Sequence, residues 1–336
     1  MRKRACGFKP RENGDKLRYR ILLTAGLAGG LAGSSLAQSS VTVFGKVDSG
    51  YVNKIGTATA RGENGLGEGA QSRVGFRGTE DLGGGMKAFF WLEQRFRSDT
   101  GGLTAARFFQ GQSIVGLQGN WGSVSLGRDY IAGYVEVQMA PDPFIHTGVA
   151  SMVAFSNGNV GTVRNDGAIT YKFDRSGFNL QLQRANAVSP NSTTLPAPAT
   201  PNNPVGLSAS YRSGQWFAGY AYENPGGVND VWNLFAVQVP LGPLTLAGGY
   251  GQGRANNLEK RRTYIVSAFM PTSTGRFKVA FGDLKNTSAD LAISRKFAVG
   301  YNHNLSKRTF LYLNVARDQV AIADKMGFDV GVQHNF

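Results

Sequence analysis

Apolar and polar residues alternate one by one along most of this chain. Near its end Phe328, Val330, Val332, His334 and Phe336 share one face of an extended segment, and Asp329, Gly331, Gln333 and Asn335 share the other. Such period-two alternation marks a strand with one apolar and one wet face. Val41 to Val52 reads the same way, with Val41, Val43, Gly45, Val47 and Tyr51 against Thr42, Lys46 and Asp48. In 71–78, Val74 and Phe76 oppose Arg73, Gly75 and Arg77; in 87–96, Ala88, Phe90, Leu92 and Phe96 oppose Glu93 and Arg95. Further strands read at 107–118, 123–129, 165–174, 177–185, 205–213, 215–223, 230–240, 243–251, 261–270, 275–284, 293–302, 308–317 and 327–336, sixteen in all.

The connections alternate too. Long ones at 53–69, 97–106, 130–164 and 186–204 are interleaved with short ones at 79–85, 119–122, 175–176 and 214, and the alternation is expected to continue to the end. An up-and-down membrane barrel has short turns at one rim and long loops at the other. A soluble sandwich has no reason for the pattern. The stretch Pro190 to Pro204 is rich in Pro, Asn and Thr; strands of one kind flank it, so it reads as a long loop rather than an interdomain linker. The fold class is therefore all-β, a sixteen-stranded antiparallel transmembrane barrel.

Composition sharpens this reading. The 336 residues include 46 Gly and 11% aromatics, and the mean hydropathy is only −0.22. That mixture suits many strands whose inward positions are polar. No run of 18 apolar residues offers a helical membrane span. Residues 1–37 read as a secretory signal: a basic n-region, an apolar run from Ile21 to Leu31, and the cleavage site Ser35-Leu36-Ala37. The only cysteine, Cys6, lies in that leader, so the mature chain has no disulfide or thiolate chemistry. The leader holds eight basic and two acidic residues, so its removal lowers the formal charge from +14 to +8. The surviving basic excess points to anionic lipid or solute, and export argues against nucleic acid.

At Gln38 to Asp48, at Ser72 to Gly85 with its turn Gly78-Thr79-Glu80-Asp81-Leu82-Gly83-Gly84-Gly85, at Val124 to Arg128 and at Phe336, the chain resembles the trimeric general porins of Gram-negative outer membranes, in particular the neisserial and betaproteobacterial branch. The similarity covers 38–336. It implies a porin barrel, a homotrimer, a third long loop folded into the pore, and a terminal Phe336 read by the outer-membrane insertion machinery. It implies, as further partners, outer-membrane lipid and lipopolysaccharide. One position departs from the pattern: the family usually carries Arg where Gly111 stands, so a wall arginine is expected to be missing.

The loop of about 130–164 is far longer than its peers. From Ile131 to Val163 it contains Glu136 and Asp142 and no Lys or Arg. Loops above about 15 residues without strands of their own are functional or disordered, and Phe144, Ile145, Met152, Val153 and Phe155 argue against disorder. By resemblance this loop narrows the channel, with Glu136 and Asp142 facing wall basics. Arg73 matches the family's second-strand arginine and is inward by parity. Arg164 resembles the arginine that opens the sixth strand. Arg128 closes its motif but needs a bulge or strand end to turn inward. Lys46 and Arg95 are inward by parity; each either shapes the pore field or pairs with inward acids such as Asp48 and Glu93. Fixed charge in a narrow pore admits counter-ions and repels co-ions, so the basic excess favours small anions alongside neutral solutes.

Catalytic readings find little footing. His146 falls in the long loop, His303 in a short turn and His334 on an outward face; none has a nucleophile at motif spacing. Gly65-x-Gly67-x-x-Ala70 lacks a strand-to-helix context. Metal-ligand spacing is absent, and no cofactor is implied. Trp91, Trp121, Trp216 and Trp232 are expected in interface girdles. The resulting expectation is a non-enzymatic diffusion porin biased to anions. The alternatives are a substrate-specific anion channel of the same fold, an outer-membrane barrel enzyme, or an adhesin.

Overall fold

A computed structural model describes residues 40–57, 60–187, 202–255 and 258–336. The chain divides into two units after Leu36. The first, with the proposed leader, lies outside the described residues, as does most of the Pro/Asn/Thr-rich stretch.

The second unit is one antiparallel sheet closed on itself. β1 (Ser40–Asn53) pairs along one edge with β17 (Met326–Asn335). Along its other edge lie two successive pieces: β3 (Ser72–Gly83) against Ser40–Lys46 and the short β2 (Asn64–Gly67) against Gly50–Asn53. These two share one place in the circumference, so seventeen segments make a sixteen-stranded barrel. Its other members run in sequence: β4 (Met86–Phe96), β5 (Ser113–Gly119), β6 (Gly122–Tyr130), β7 (Arg164–Arg175), β8 (Phe178–Arg184), β9 (Val205–Ser213), β10 (Trp216–Asn224), β11 (Val231–Leu241), β12 (Leu244–Ala255), β13 (Glu259–Pro271), β14 (Gly275–Asn286), β15 (Leu291–Asn304) and β16 (Thr309–Asp318). Phe336 completes the seam: its N–H donates to Gly45 O and Gly45 N–H donates back, both at 3.1 Å.

Polarity runs opposite to that of a soluble barrel. Val43, Val115, Leu126, Ile169, Phe235, Val266, Phe297 and Leu313 alternate along their strands and are exposed. Asp48, Glu93, Thr170, Gln183, Ser208, Ser267, Lys278 and Asp329 are buried. An apolar exterior around a polar interior is the arrangement a bilayer selects.

Three expectations need correction. The strand at 107–118 begins only at Ser113, although Gly111 and Gln112 still bond to Glu93 of β4. The alternation of connections fades late: three residues separate β12 from β13 and three separate β13 from β14. His303 lies within β15, not in a turn.

The segment between β6 and β7 turns back over inward-facing side chains. It holds a π-helical turn (Tyr134–Gln138) and a short helix, α1 (Val153–Asn157). Val137, Phe144, Met152, Phe155 and Val160 pack with Trp232, Leu234, Ala236, Ile265, Ala280, Leu284, Ala298 and Ala316 into one hydrophobic cluster. Small inward residues make the room. A Cβ at Gly282 would come within 2.7 Å of the Phe155 ring, and one at Gly300 within 2.9 Å of the Phe144 ring. Polar contacts fix the register: Trp232 Nε1 donates to Ser156 O (2.8 Å), Gln238 Nε2 to Ala140 O (2.7 Å), Ser267 Oγ to Pro141 O (2.8 Å), and Arg261 Nη1 to the carbonyls of Gly158 and Asn159 (2.9 and 2.8 Å).

Candidate constriction site

Between this segment and the wall lies a cavity of about 660 Å³. Four cations line it from the N-terminal half of the barrel: Lys46 on β1, Arg73 on β3, Arg95 on β4 and Arg164 at the start of β7. Further round the wall, β14 contributes Arg276 and Lys278. Asp48 is the one carboxylate among the lining residues, and it is buried: its Oδ1 accepts from Gly69 N–H (2.8 Å) and Tyr312 OH (2.7 Å).

The N-terminal cations are held in a network. Buried Glu93 accepts from Arg95 Nε at 2.9 Å and from Arg73 Nη1 at 3.5 Å. One carboxylate therefore serves two guanidiniums, leaving a local surplus of positive charge. The Tyr130 hydroxyl accepts from Arg95 Nη2 (2.9 Å) and Arg164 Nη2 (2.6 Å), and its ring lies 4.1 Å under the Arg164 guanidinium. Stacking continues from Tyr130 to Tyr134 at 5.1 Å, so wall and loop share one aromatic ledge. Planar guanidinium on an aromatic face is a favourable pairing. On the other side Lys278 Nζ donates to Asn302 Oδ1 (2.8 Å) and sits 4.8 Å from the centre of the Phe144 ring.

The remaining sequence candidates sit elsewhere. Arg128 does not line the cavity. A register shift between Gly127 and Asp129 supplies the bulge its parity requires, and the guanidinium pairs with Asp166 (2.5 Å), which also holds Arg107 (2.6 Å). Glu136, in the π-helical turn, is not a lining residue either. Asp142 is buried and faces its own loop. It accepts from the N–H groups of Phe144, His146 and Met152, each at 2.9 Å. Those three bonds tie the loop to itself.

His146 sits beside Asp142. Its Nε2–H donates to Gln138 O at 3.1 Å. Burial holds the imidazole below its ordinary pKa, opposed by the Asp142 charge 3.8 Å away. Gly111 lies at the edge of the network, where a Cβ would meet Glu93 Oε1 at 2.4 Å. Among the described residues no group of three or more His, Cys, Asp or Glu is gathered to hold a metal.

Tyr130, Arg276 and Lys278 escaped the sequence reading. The two basics alternate with Phe277 and Phe281, so parity alone could have found them. Parity also corrects two tryptophans. Trp91 shares the face of Glu93 and Arg95 and packs against Phe44 at 4.4 Å with the rings tilted by 49°, and Arg77 lies 5.3 Å above it. Trp232 is buried under the loop. Trp121 and Trp216 are exposed, by contrast.

A family model described as Gram-negative porin matches residues 23–321. Outer membrane porin protein 32 of Delftia acidovorans is 31% identical, over 85% of each chain. An outer membrane porin protein of Bordetella pertussis is 27% identical over 94% of this chain and the whole of that one. Among solved structures, the anion-selective porin from Comamonas acidovorans superposes with a TM-score of 0.73 at 29% identity, covering 89% of this chain and all of the other.

Proposed function

The chain belongs to the Gram-negative porin family, and from that premise we propose that it is a passive diffusion channel for small hydrophilic solutes, preferring anions, with Lys46, Arg73, Arg95, Arg164, Arg276 and Lys278 as its selecting charges. It is an outer-membrane protein, and its fold and family point to a channel rather than an enzyme. The observation that carries the anion preference is the lining of the cavity: six cations and one carboxylate, the latter already hydrogen-bonded. Fixed positive charge in a water-filled gap raises the local concentration of anions and repels cations. The low-dielectric wall strengthens the field relative to bulk water. The segment 131–163 limits the size of what passes. The relative from Comamonas, itself described as anion-selective, supports the reading.

A reversal potential recorded across a planar bilayer in a KCl gradient tests it. Chloride should permeate more readily than potassium; a cation-selective trace would overturn the proposal. We read the working form as a homotrimer cleaved after Ala37, with Phe336 as part of the signal read by the insertion machinery. Native mass spectrometry of the outer-membrane form should return three protomers, each beginning at Gln38.

A further inference from the structure

The cavity has two unlike sides. Its cations come from the wall, whereas the 131–163 segment gives it Tyr134, Val135, Met139, Phe144, Ile145 and Val153 and no carboxylate. Val135 is 49% exposed and Ile145 is 52% exposed. Apolar side chains left open in a polar lumen mark a surface that meets something apolar. Ile145 is presented at a conformational cost. Its backbone φ is 55°, and that of His146 is 54°. A β-branched residue rarely enters the left-handed region, and such strain persists where the surroundings over-determine it. Here Ile145 N–H donates to Asp142 O at 3.1 Å, and His146 N–H donates to Asp142 Oδ2 at 2.9 Å. The apolar face continues sideways, since the His146 ring lies 5.2 Å from that of Tyr134, which in turn stacks on Tyr130.

On the wall, two of the cations are loosely held. Lys46 stands directly opposite Arg73 in the β1–β3 ladder, and like charges so placed destabilise a sheet. Their hydrogen bonds are long. Lys46 Nζ donates to Gln333 Oε1 at 3.5 Å, and Arg73 donates to Gln71 O at 3.4 Å and to Glu93 Oε2 at 3.5 Å. Arg95, by contrast, is held at 2.9 Å by both Glu93 and the Tyr130 hydroxyl. A carboxylate placed between Lys46 and Arg73 relieves their repulsion and gains short charge-assisted bonds, with the flat guanidinium matched to its two oxygens.

We propose that the cavity binds aromatic carboxylates in transit, the carboxylate on Arg73 and Lys46 and the ring against Ile145 and Tyr134. The proposal rests on the anion-channel reading and deepens it by naming a solute class. Chloride or acetate uses the wall charge alone. An aromatic carboxylate also covers the exposed Ile145 and Val135, and an offset or edge contact with Tyr134 is favourable. A cavity of about 660 Å³ holds one such ring with space to spare. Permeation requires binding weak enough for exit, and a single ring meets that condition.

The test is calorimetric titration of detergent-purified full-length protein with benzoate, acetate and benzyl alcohol, the last reporting partition of a neutral ring into the micelle. Benzoate should bind roughly ten-fold more tightly than acetate, the gain from partly covering one ring, and benzyl alcohol should not compete with it. In a planar bilayer, benzoate should interrupt the chloride current at concentrations where acetate does not. Ile145→Asn removes the apolar contact and puts a residue suited to the left-handed backbone in its place, so the benzoate-to-acetate ratio should fall toward one. Arg73→Gln should weaken both anions and leave the ratio standing. Equal affinity of wild type for benzoate and acetate would overturn the proposal, and that arm needs no variant. Benzyl alcohol binding as well as benzoate would overturn the carboxylate contact. Cyclohexanecarboxylate matching benzoate would overturn the aromatic assignment in favour of apolar bulk. An unchanged ratio in Ile145→Asn would remove the loop face from the site. A wild type that passes chloride without preferring benzoate defeats this proposal alone. A cation-selective or silent wild type counts against the channel reading, and the calorimetric ratio still decides the binding.

Discussion

The inner wall of the barrel uses one alternating pattern in two ways. On β1, β3, β4 and β7 the inward positions carry long charged side chains, and Lys46, Arg73, Arg95 and Arg164 line the cavity. On β10 to β16 the inward positions are dominated by small residues, Ala221, Ala236, Ala280, Ala298 and Ala316 among them, and the 131–163 segment fills the volume they leave. The first region supplies field and the second supplies shape. The same segment is held on the side where the wall yields space, and so faces the charges across the cavity. Arg276 and Lys278 add charge within the second region, at the short-turn end of β14.

The largest effect should come from the region of shape. Trp232 is 1% exposed, and its indole donates to Ser156 O. Trp232→Ala removes that anchor and leaves a void, at a cost of about 3–5 kcal/mol. The loop should loosen while the strands stay paired. Chymotrypsin should then nick near Phe144 or Phe155 in the variant but not in wild type, and single-channel conductance should rise and become noisy. Unchanged proteolysis and conductance would break the division into two regions.

Asp142 is the next test, because it reads as a field charge in the sequence and binds three backbone N–H groups of its own loop in the fold. Asp142→Asn weakens three charge-assisted bonds to backbone N–H groups, about 1.5–3 kcal/mol in all. It should raise channel noise with little change of reversal potential, and Glu136→Gln should do neither. His146 adds a pH dependence. Burial keeps its folded pKa below the ordinary value, so the seated loop takes up a proton less readily than the released one. The seat is at full strength above about pH 6.5 and weakens as pH falls below it. Closure or noise events counted between pH 7 and 5 should increase toward acid in wild type, and less so in His146→Gln.

Within the region of field, the effects should be smaller and purely electrostatic. Arg164→Gln and Lys278→Gln each remove one of the lining cations. Each should shift the reversal potential toward cations without altering loop proteolysis. The shift should shrink at high salt, since the Debye length falls from about 10 Å at 0.1 M to about 3 Å at 1 M. A shift that persists at 1 M would mean that the substitution moved the loop instead.

How far the sequence discloses this arrangement depends on what each residue answers to. Strand parity is set by the bilayer outside and water inside, so Lys46, Arg73 and Arg95 could be assigned to the lumen residue by residue. Trp91 and Trp232 are legible on the same ground, since each shares its strand parity with buried or polar inward residues. Arg128 was not, because the bulge at Gly127 breaks the count by one. Asp142 was not, because an acid in a long loop reads the same whether it meets water or caps three backbone N–H groups. Tyr130 acquires its role only from the ledge it shares with Tyr134, a contact between a strand end and a loop whose path the alternation does not encode.

Gly111 is the finest probe of the boundary between field and shape. A side chain there would start 2.4 Å from Glu93 Oε1 and 2.7 Å from Glu93 Cβ, so Glu93 must swing aside. The backbone at 111 is not left-handed, so the substitution itself adds no φ strain. Gly111→Arg therefore sets a third guanidinium on a carboxylate that already serves Arg73 and Arg95. One of the three must turn to the lumen. The expected result is a modest gain in anion preference, on the order of one added wall charge, together with a lower conductance from the added bulk. Adding Glu93→Gln to Gly111→Arg should raise the anion preference again, because no carboxylate is left to neutralise the cluster. If Gly111→Arg changes neither conductance nor reversal potential, the new guanidinium is held beside Glu93 with its charge turned away from the lumen. The double variant would then still gain. If that gain is also absent, position 111 does not communicate with the channel.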